Sequence, residues 1–146
     1  MHTLVLGIGN LLLGDEGVGV HAARLLTQEK HPPGTEVLDV GSAILDALPA
    51  LKYADRVIVL DAVMADGPPG TVYRLPFSNC EKPSCLGSLH GFDLSRLMAL
   101  AGRKNPKDVL ILGVEPATIS WSMDLSPQVA YALPRFIDAV KREISV

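Results

Sequence analysis

Three ionisable side chains lie where the chain leaves a predicted strand or enters a predicted helix. Glu16 stands at the start of the first helix, Asp61 closes the third and most apolar strand, and His90 precedes a later helix. In an open parallel sheet these positions belong to the crevice at the carboxyl ends of the strands, where ligands bind. One imidazole and two carboxylates suit zinc, nickel or a similar divalent ion, and three protein ligands leave positions open for water or substrate. The pattern therefore predicts a metal site for catalysis or recognition.

Each of these residues also has a simpler explanation when it is considered alone. Asp15 and Glu16 could cap the first helix and complement its dipole, Asp61 could bond turn amides, and His90 could face solvent. Asp15 and Asp39 are second candidates for orienting a ligand or assisting proton transfer, although capping and turn formation are the simpler roles for them.

A glycine-rich stretch, Gly7–Val20, follows the first strand and opens the first helix. Gly7 and Gly9 match the start of the dinucleotide-binding fingerprint, and Asp39 stands where a ribose-binding acid could lie. Leu12, however, occupies the position of the third glycine. The two carboxylates at the helix start would also repel a pyrophosphate and attract a cation. Dinucleotide binding is therefore the weaker interpretation.

The remaining histidines and the cysteines fit a metal site less well. His2 is near the chain start, and His31 precedes two prolines. His21 lies five positions after Glu16, which places it about 140° away around the helix axis. Cys80 and Cys85 stand in a segment rich in Pro, Ser and Gly, and the chain offers no second thiol pair for a structural zinc site. We treat the three histidines as non-ligands and interpret the two cysteines as loop thiols.

Apolar strands alternate with helical patterns along the whole chain. Predicted strands are Thr3–Ile8, Glu36–Val40, Arg56–Val63, Thr71–Leu75 and Val109–Val114. Predicted helices are Gly17–Gln28, Ile44–Leu51 interrupted by Pro49, Phe92–Ala101, and a last one opening at Ser126–Pro127 that Pro134 should bend or delay. The alternation indicates an α/β fold with three layers: a mostly parallel, twisted central sheet of about five strands and helices on both faces. Thr71–Leu75 alternates like an exposed edge strand and could run antiparallel.

Composition restricts the classes of partner. The 146 residues are the size of one domain, so we expect a single domain over residues 1–146. A net charge of -3, with scattered basic residues, argues against a nucleic-acid partner. No apolar run approaches the roughly 20 residues of a membrane-spanning helix, and the N-terminus lacks a leader pattern. We therefore expect a cytoplasmic monomer with no membrane partner.

Taken together, the motifs resemble those of the hydrogenase maturation proteases. The family pattern GxGNxLxxDEGxGV is matched between Gly7 and Val20, and the resemblance covers essentially the whole chain. Further matching elements are Asp61-Ala62, Pro69-Gly70-Thr71, Ser88-Leu89-His90, Gly113-Val114-Glu115-Pro116 and Leu125-Ser126-Pro127. Two positions differ from the family pattern: Gly41-Ser42 stands where GT or GGT is usual, and Ser122 where a glycine is common.

The resemblance implies a function and a set of site residues. In that family, a metal ion is bound by three side chains that correspond here to Glu16, Asp61 and His90. The family removes a C-terminal peptide from the nickel-iron hydrogenase large subunit after nickel insertion, so the nickel would be supplied by the substrate, with zinc or another divalent ion as an alternative. The ion would orient the scissile peptide and either polarise its carbonyl or activate a water. A nickel-sensing accessory module that docks on the subunit without cutting it is the other interpretation.

Overall fold

The computed structural model of the protein describes residues 1–77, 90–102 and 108–146. Strands β1 to β5 are Thr3–Ile8, Thr35–Gly41, Arg56–Ala62, Val72–Pro76 and Val109–Val114. Helices α1 to α4 are Val18–Leu26, Leu48–Tyr53, Gly91–Leu100 and Pro127–Ile144. Two 3-10 turns, Gly14–Gly17 and Ile44–Ala47, lead directly into α1 and α2.

The five strands form one sheet in the order β2-β1-β3-β5-β4. β1 pairs in parallel with both β2 and β3, and β3 pairs in parallel with β5. β4 runs antiparallel to β5 and forms one edge, as its alternating sequence suggested. The predicted mostly parallel α/β sheet is therefore confirmed. Its topology places β1 beside β3, so the segments that follow these two strands emerge next to each other.

Helices cover both faces of the sheet. On one face α1 and α4 pack together through residues such as Ala22 and Phe136, and on the other α2 and α3 contribute Leu51 and Met98. Alternate residues of the central strands supply the two cores, so β1 and β5 are buried at every position. This double burial explains why their sequences are continuously apolar.

Several element boundaries differ from the sequence prediction. The segment predicted as the start of the first helix is a 3-10 turn, and the α-helix begins only at Val18 and ends at Leu26. Pro49 does not interrupt a helix, because it lies in the first turn of α2, where its missing N–H is not needed. The predicted delay at Pro134 is also wrong: α4 starts at Pro127 and continues past it. Burial of four apolar residues beyond the first turn, among them Phe136, offsets the lost hydrogen bond.

Parts of the sequence prediction lie outside the described residues. These are the patternless loop with Cys80 and Cys85, and the first two residues of the Ser88-Leu89-His90 element. In the ranges that the structure does describe, the helices are all too short or too polar to cross a bilayer.

Candidate active site

Close packing of α1 against the sheet brings the β1–α1 segment to the end of β3. A Cβ atom at Gly19 would lie 2.1 Å from the carbonyl oxygen of Leu60, so only glycine permits this approach. Gly9, with φ of 137°, likewise lies against the backbone of Glu16, where a Cβ would come within 2.2 Å of its carbonyl oxygen. The glycines of this stretch are thus accounted for by packing. These close contacts also place Glu16 near Asp61, the residue that follows Leu60.

Glu16, Asp61 and His90 meet at this point, at the carboxyl ends of β1 and β3. The Nδ1 atom of His90 lies 3.0 Å from Oδ1 of Asp61, and its Nε2 atom lies 3.2 Å from Oε1 of Glu16. The backbone N–H of His90 donates to Oδ2 of Asp61 over 3.1 Å, which anchors the start of α3. The imidazole is therefore held between the two carboxylates, one at each ring nitrogen.

Burial makes these contacts electrostatically strong. The side chain of Asp61 is fully buried, and those of Glu16 and His90 are only 16% and 15% exposed. Burial by itself would lower the pKa of His90, but the hydrogen bond to Asp61 and the charges of Asp61, Glu16 and Asp93 outweigh it and raise the pKa above its ordinary value of 6.5. Asp61 is thus the hydrogen-bond partner of the ring at Nδ1, and Glu16 forms an ion pair with the ring at Nε2 when the ring is protonated.

The donor set can hold a divalent ion between Glu16 and Nε2 of His90. A separation of 3.2 Å between these atoms matches two ligands of one tetrahedral ion with bonds of about 2.0–2.1 Å. Asp61 occupies a different place, because it bonds Nδ1 on the other side of the ring and resembles the carboxylate that orients a ligating histidine. With this ring orientation no group of three His, Cys, Asp or Glu side chains among the described residues surrounds a single point. Direct ligation by Asp61 would need the imidazole to turn.

Asp15 has a structural role that its sequence neighbourhood did not indicate. Its side chain is fully buried, and its Oδ2 atom accepts hydrogen bonds from the backbone N–H groups of Ala117 and Thr118, at 2.8 and 2.9 Å. Both the N–H and the hydroxyl of Ser126 also donate to Asp15 over 2.7 Å. No side-chain cap is formed at the 3-10 turn or at α1. Asp15 therefore joins the segment before Glu16 to the segment after β5.

In the hydrogen bonds and ion pairs of the described residues, the other ionisable residues considered in the sequence analysis do not contact Glu16, Asp61 or His90. Asp39 pairs with Arg24 over 2.8 Å and accepts the N–H of Gly41, which is the turn role expected of it. His21 lies beside the backbone of Met123, and burial, with a smaller effect of Arg24, lowers its pKa below 6.5.

Glu115 and Ser126 contribute to the structure around the site. In the sequence, Glu115 was noted only as part of a family motif, and Ser126 as part of a motif and as a helix cap. Glu115, almost fully buried, accepts the N–H groups of Ala65 and Gly67 and the hydroxyl of Tyr73, so it fixes the turn after β3. Ser126 caps α4 by accepting from a backbone N–H, and its hydroxyl also donates to Asp15. Its position directly after the buried strand β5 was the sequence feature that could have indicated a structural role for Glu115.

Comparison with known proteins assigns the chain to a family. A sequence model described as hydrogenase maturation protease matches residues 20–143. The chain belongs to the hydrogenase maturation protease family. The matched range includes Asp61 and His90 and begins four residues after Glu16.

Relatives and solved structures agree with that assignment. The chain is 33% identical to the hydrogenase 2 maturation protease of Escherichia coli over 138 residues, covering 88% of this chain and 82% of that protein. It is 37% identical to the hydrogenase expression/formation protein HupD of Thiocapsa roseopersicina over 86% of its own length, but spans only 60% of that relative. The hydrogenase maturating endopeptidase HybD from E. coli superimposes with a TM-score of 0.83 at 28% identity, covering 99% of this chain and 93% of that one. The three-layer α/β fold is thus that of a maturation endopeptidase.

Proposed function

We propose that this chain is an endopeptidase that removes the C-terminal extension of a nickel-iron hydrogenase large-subunit precursor after nickel has been inserted. The observation that carries the proposal is the contact of His90 with both Glu16 and Asp61 at the carboxyl ends of β1 and β3, in a chain of the maturation protease family. An open crevice at this edge of the sheet is where an α/β protein binds its substrate.

The nickel of the precursor is the ion that we expect at this site. Glu16 and Nε2 of His90 would hold it, and zinc or another divalent ion suits the same donor pair. A bound divalent ion supplies polarisation of a carbonyl or a water of lowered pKa. A precursor without nickel would lack the group that the two ligands recognise, which explains why processing would follow metal insertion.

The chain's own residues have distinct tasks in this proposal. Asp61 holds the imidazole through Nδ1 and the backbone N–H of His90, so it fixes the direction in which Nε2 points. Glu16 lies in the 3-10 turn before α1 and faces Nε2 of His90. Its side chain is mostly buried, and the 16% that remains exposed is the part that an incoming polypeptide can contact. Asp15 positions Glu16 by tying its segment to the loop after β5.

The test uses the nickel-loaded large-subunit precursor and the purified full chain, with the intact mass of the precursor as readout. Glu16→Gln and His90→Ala should slow removal of the C-terminal peptide at least about 100-fold, as expected for the loss of a group that acts on the reacting bond. His31→Ala is the matched control, because its ring bonds the carbonyl of Leu26 ahead of β2, at the opposite end of the strands from the site. Circular dichroism spectra of all variants should coincide.

Cleavage at an undiminished rate by Glu16→Gln would show that the site formed by Glu16, Asp61 and His90 is not catalytic. An intact precursor that nevertheless binds the wild-type chain would identify a non-cleaving accessory module instead. Dinucleotide binding receives no support from the glycine-rich stretch, since its glycines serve the packing of α1 on the sheet.

We further propose that the chain acts as a cytoplasmic monomer and forms one domain over residues 1–146. The length, the scattered charges and the lack of a long apolar run support this proposal. Gel filtration with light scattering tests the monomer, and fractionation of cells that produce the chain tests the compartment.

A further inference from the structure

Four large apolar side chains are exposed on two adjoining segments next to the candidate site. Leu12 lies between β1 and the 3-10 turn, and Ile119, Trp121 and Met123 lie in the segment after β5. Their exposed fractions are 48%, 41%, 81% and 57% respectively. We call these four residues the apolar shelf. Apolar patches of more than a few hundred Å² are uncommon on monomers, and the largest one is often functional.

The two segments of the shelf are hydrogen-bonded to each other. The N–H of Ser122 donates to the carbonyl of Leu12 over 2.9 Å, and that of Gly14 donates to the carbonyl of Ser122 over 2.7 Å. The N–H of Asp15 adds a bond of 3.0 Å to the carbonyl of Thr118, and its buried carboxylate holds the same segment. The shelf is therefore preformed, so little conformational entropy is lost when a partner binds it.

The backbone of the shelf leads directly into the site. Leu12 precedes Glu16 by four residues, and the N–H of Glu16 bonds the carbonyl of Leu13. A polypeptide with its scissile bond at Glu16 and His90 must extend past the neighbouring surface, and on the Glu16 side that surface is the shelf. Residues 116–123, PATISWSM, and 10–14, NLLLG, contain no charged side chain. Such a surface complements an uncharged, apolar segment.

From these contacts we infer that the apolar shelf binds an uncharged, apolar segment of the precursor polypeptide adjoining the scissile bond. This inference rests on the proposed function, because it takes the precursor as the partner. Trp121, the most exposed of the four, is the expected main contact, since buried tryptophans contribute most at interfaces.

A polypeptide segment fits the shelf better than a second copy of the chain does. The four side chains present of the order of 500 Å² of surface, whereas a stable protein interface needs about 800 Å² on each partner. An extended segment needs only a few well-placed apolar contacts, because its remaining affinity comes from the site itself.

The experiment compares the double variant Trp121→Ala/Met123→Ala with a control, Leu25→Ala/Tyr53→Ala. The control removes two exposed apolar side chains, 42% and 78% exposed, near the C-terminal ends of α1 and α2, which lead into the starts of β2 and β3 and so lie at the opposite end of the strands from the site. The probe is the nickel-loaded precursor, and both its dissociation constant and its cleavage rate are measured. The shelf variant should bind about 10- to 30-fold more weakly and show a raised KM with kcat nearly unchanged, whereas the control should match the wild type.

Each outcome decides between the shelf and the proposed function. Unchanged binding and KM in the shelf variant would overturn the inference while leaving cleavage in place. Weaker binding of the variant, together with an uncut precursor for the wild type, would support the shelf and refute the endopeptidase. A wild-type dimer that the shelf variant dissociates would show that the partner is a second copy, which also overturns the inference.

Discussion

Replacing Asp15 by alanine tests whether this residue caps a helix or joins two distant segments. In the folded protein its carboxylate accepts hydrogen bonds from the backbone N–H groups of Ala117, Thr118 and Ser126 and from the Ser126 hydroxyl. Alanine would leave the three backbone donors without this acceptor in a partly buried place. The hydroxyl can rotate toward another acceptor.

The cost follows from these contacts. A fully buried donor without a partner costs about 1–3 kcal/mol, so three such N–H groups would cost at most about 3–9 kcal/mol. Because these hydrogen bonds are only partly buried and water can reach the donors as the loop relaxes, we expect the lower part of that range, about 3–5 kcal/mol. A protein of this size would then lose about 6–20 °C in Tm. Asp15→Asn keeps an oxygen toward Ala117 and Thr118 but sets its amide against the Ser126 N–H, so it should cost about 1–3 kcal/mol.

Urea unfolding followed by circular dichroism measures both changes, with Asp138→Ala on the exposed surface of α4 as control. The control should change the free energy of unfolding by no more than about 0.5 kcal/mol. Loss of a helix cap would cost only about 1 kcal/mol. A loss of that size or less in Asp15→Ala would therefore refute the cross-linking role.

Two further stability predictions concern the packing of α1 and an ion pair on α4. Gly19→Ala should lower the free energy of unfolding by about 3 kcal/mol, since its Cβ would overlap the Leu60 carbonyl; a Tm within about 2 °C of the wild type would contradict this. Arg74, and then Arg56, hold the pKa of Glu143 below its ordinary value of 4.5. The ionised carboxylate therefore stabilises the fold fully above pH 4.5, and this contribution is lost as the pH falls through the lower folded-state pKa. Glu143→Gln should accordingly be less stable than the wild type at about pH 6, and the difference should shrink toward about pH 3; a difference independent of pH would contradict the ion pair.

Much of the fold could be read from local sequence pattern. The apolar runs of β1, β3 and β5 predicted buried parallel strands because both of their faces are covered, and the observed strands agree within about a residue. Proline was less reliable as a signal. Pro49 and Pro134 were expected to disturb their helices, yet one occupies a first turn and the other is tolerated by a well-buried helix.

The location of the candidate site could be predicted from the sequence, whereas the hydrogen bonds and ion pairs among its side chains could not. Sequence places Glu16, Asp61 and His90 at one edge of a parallel sheet because strand ends of the same direction meet there. Asp61 was expected to share an ion with the other two, and its bond to Nδ1 depends on the direction of the imidazole. Ring direction is set by contacts between remote segments, so local pattern carries no information on it.

The amino-acid sequence alone therefore determined the strand and helix types, the mostly parallel sheet and the residue types of the site, because these depend on local periodicity and on the chemistry of single side chains. Only the tertiary structure decided that β1 lies beside β3, that the imidazole lies between two carboxylates, and that Asp15 is a buried link rather than a cap. The hydrogen-bond donors to Asp15 lie more than 100 residues away in the chain, at Ala117, Thr118 and Ser126. A contact at that separation exists only once the loop after β5 has folded back across the sheet onto the first turn.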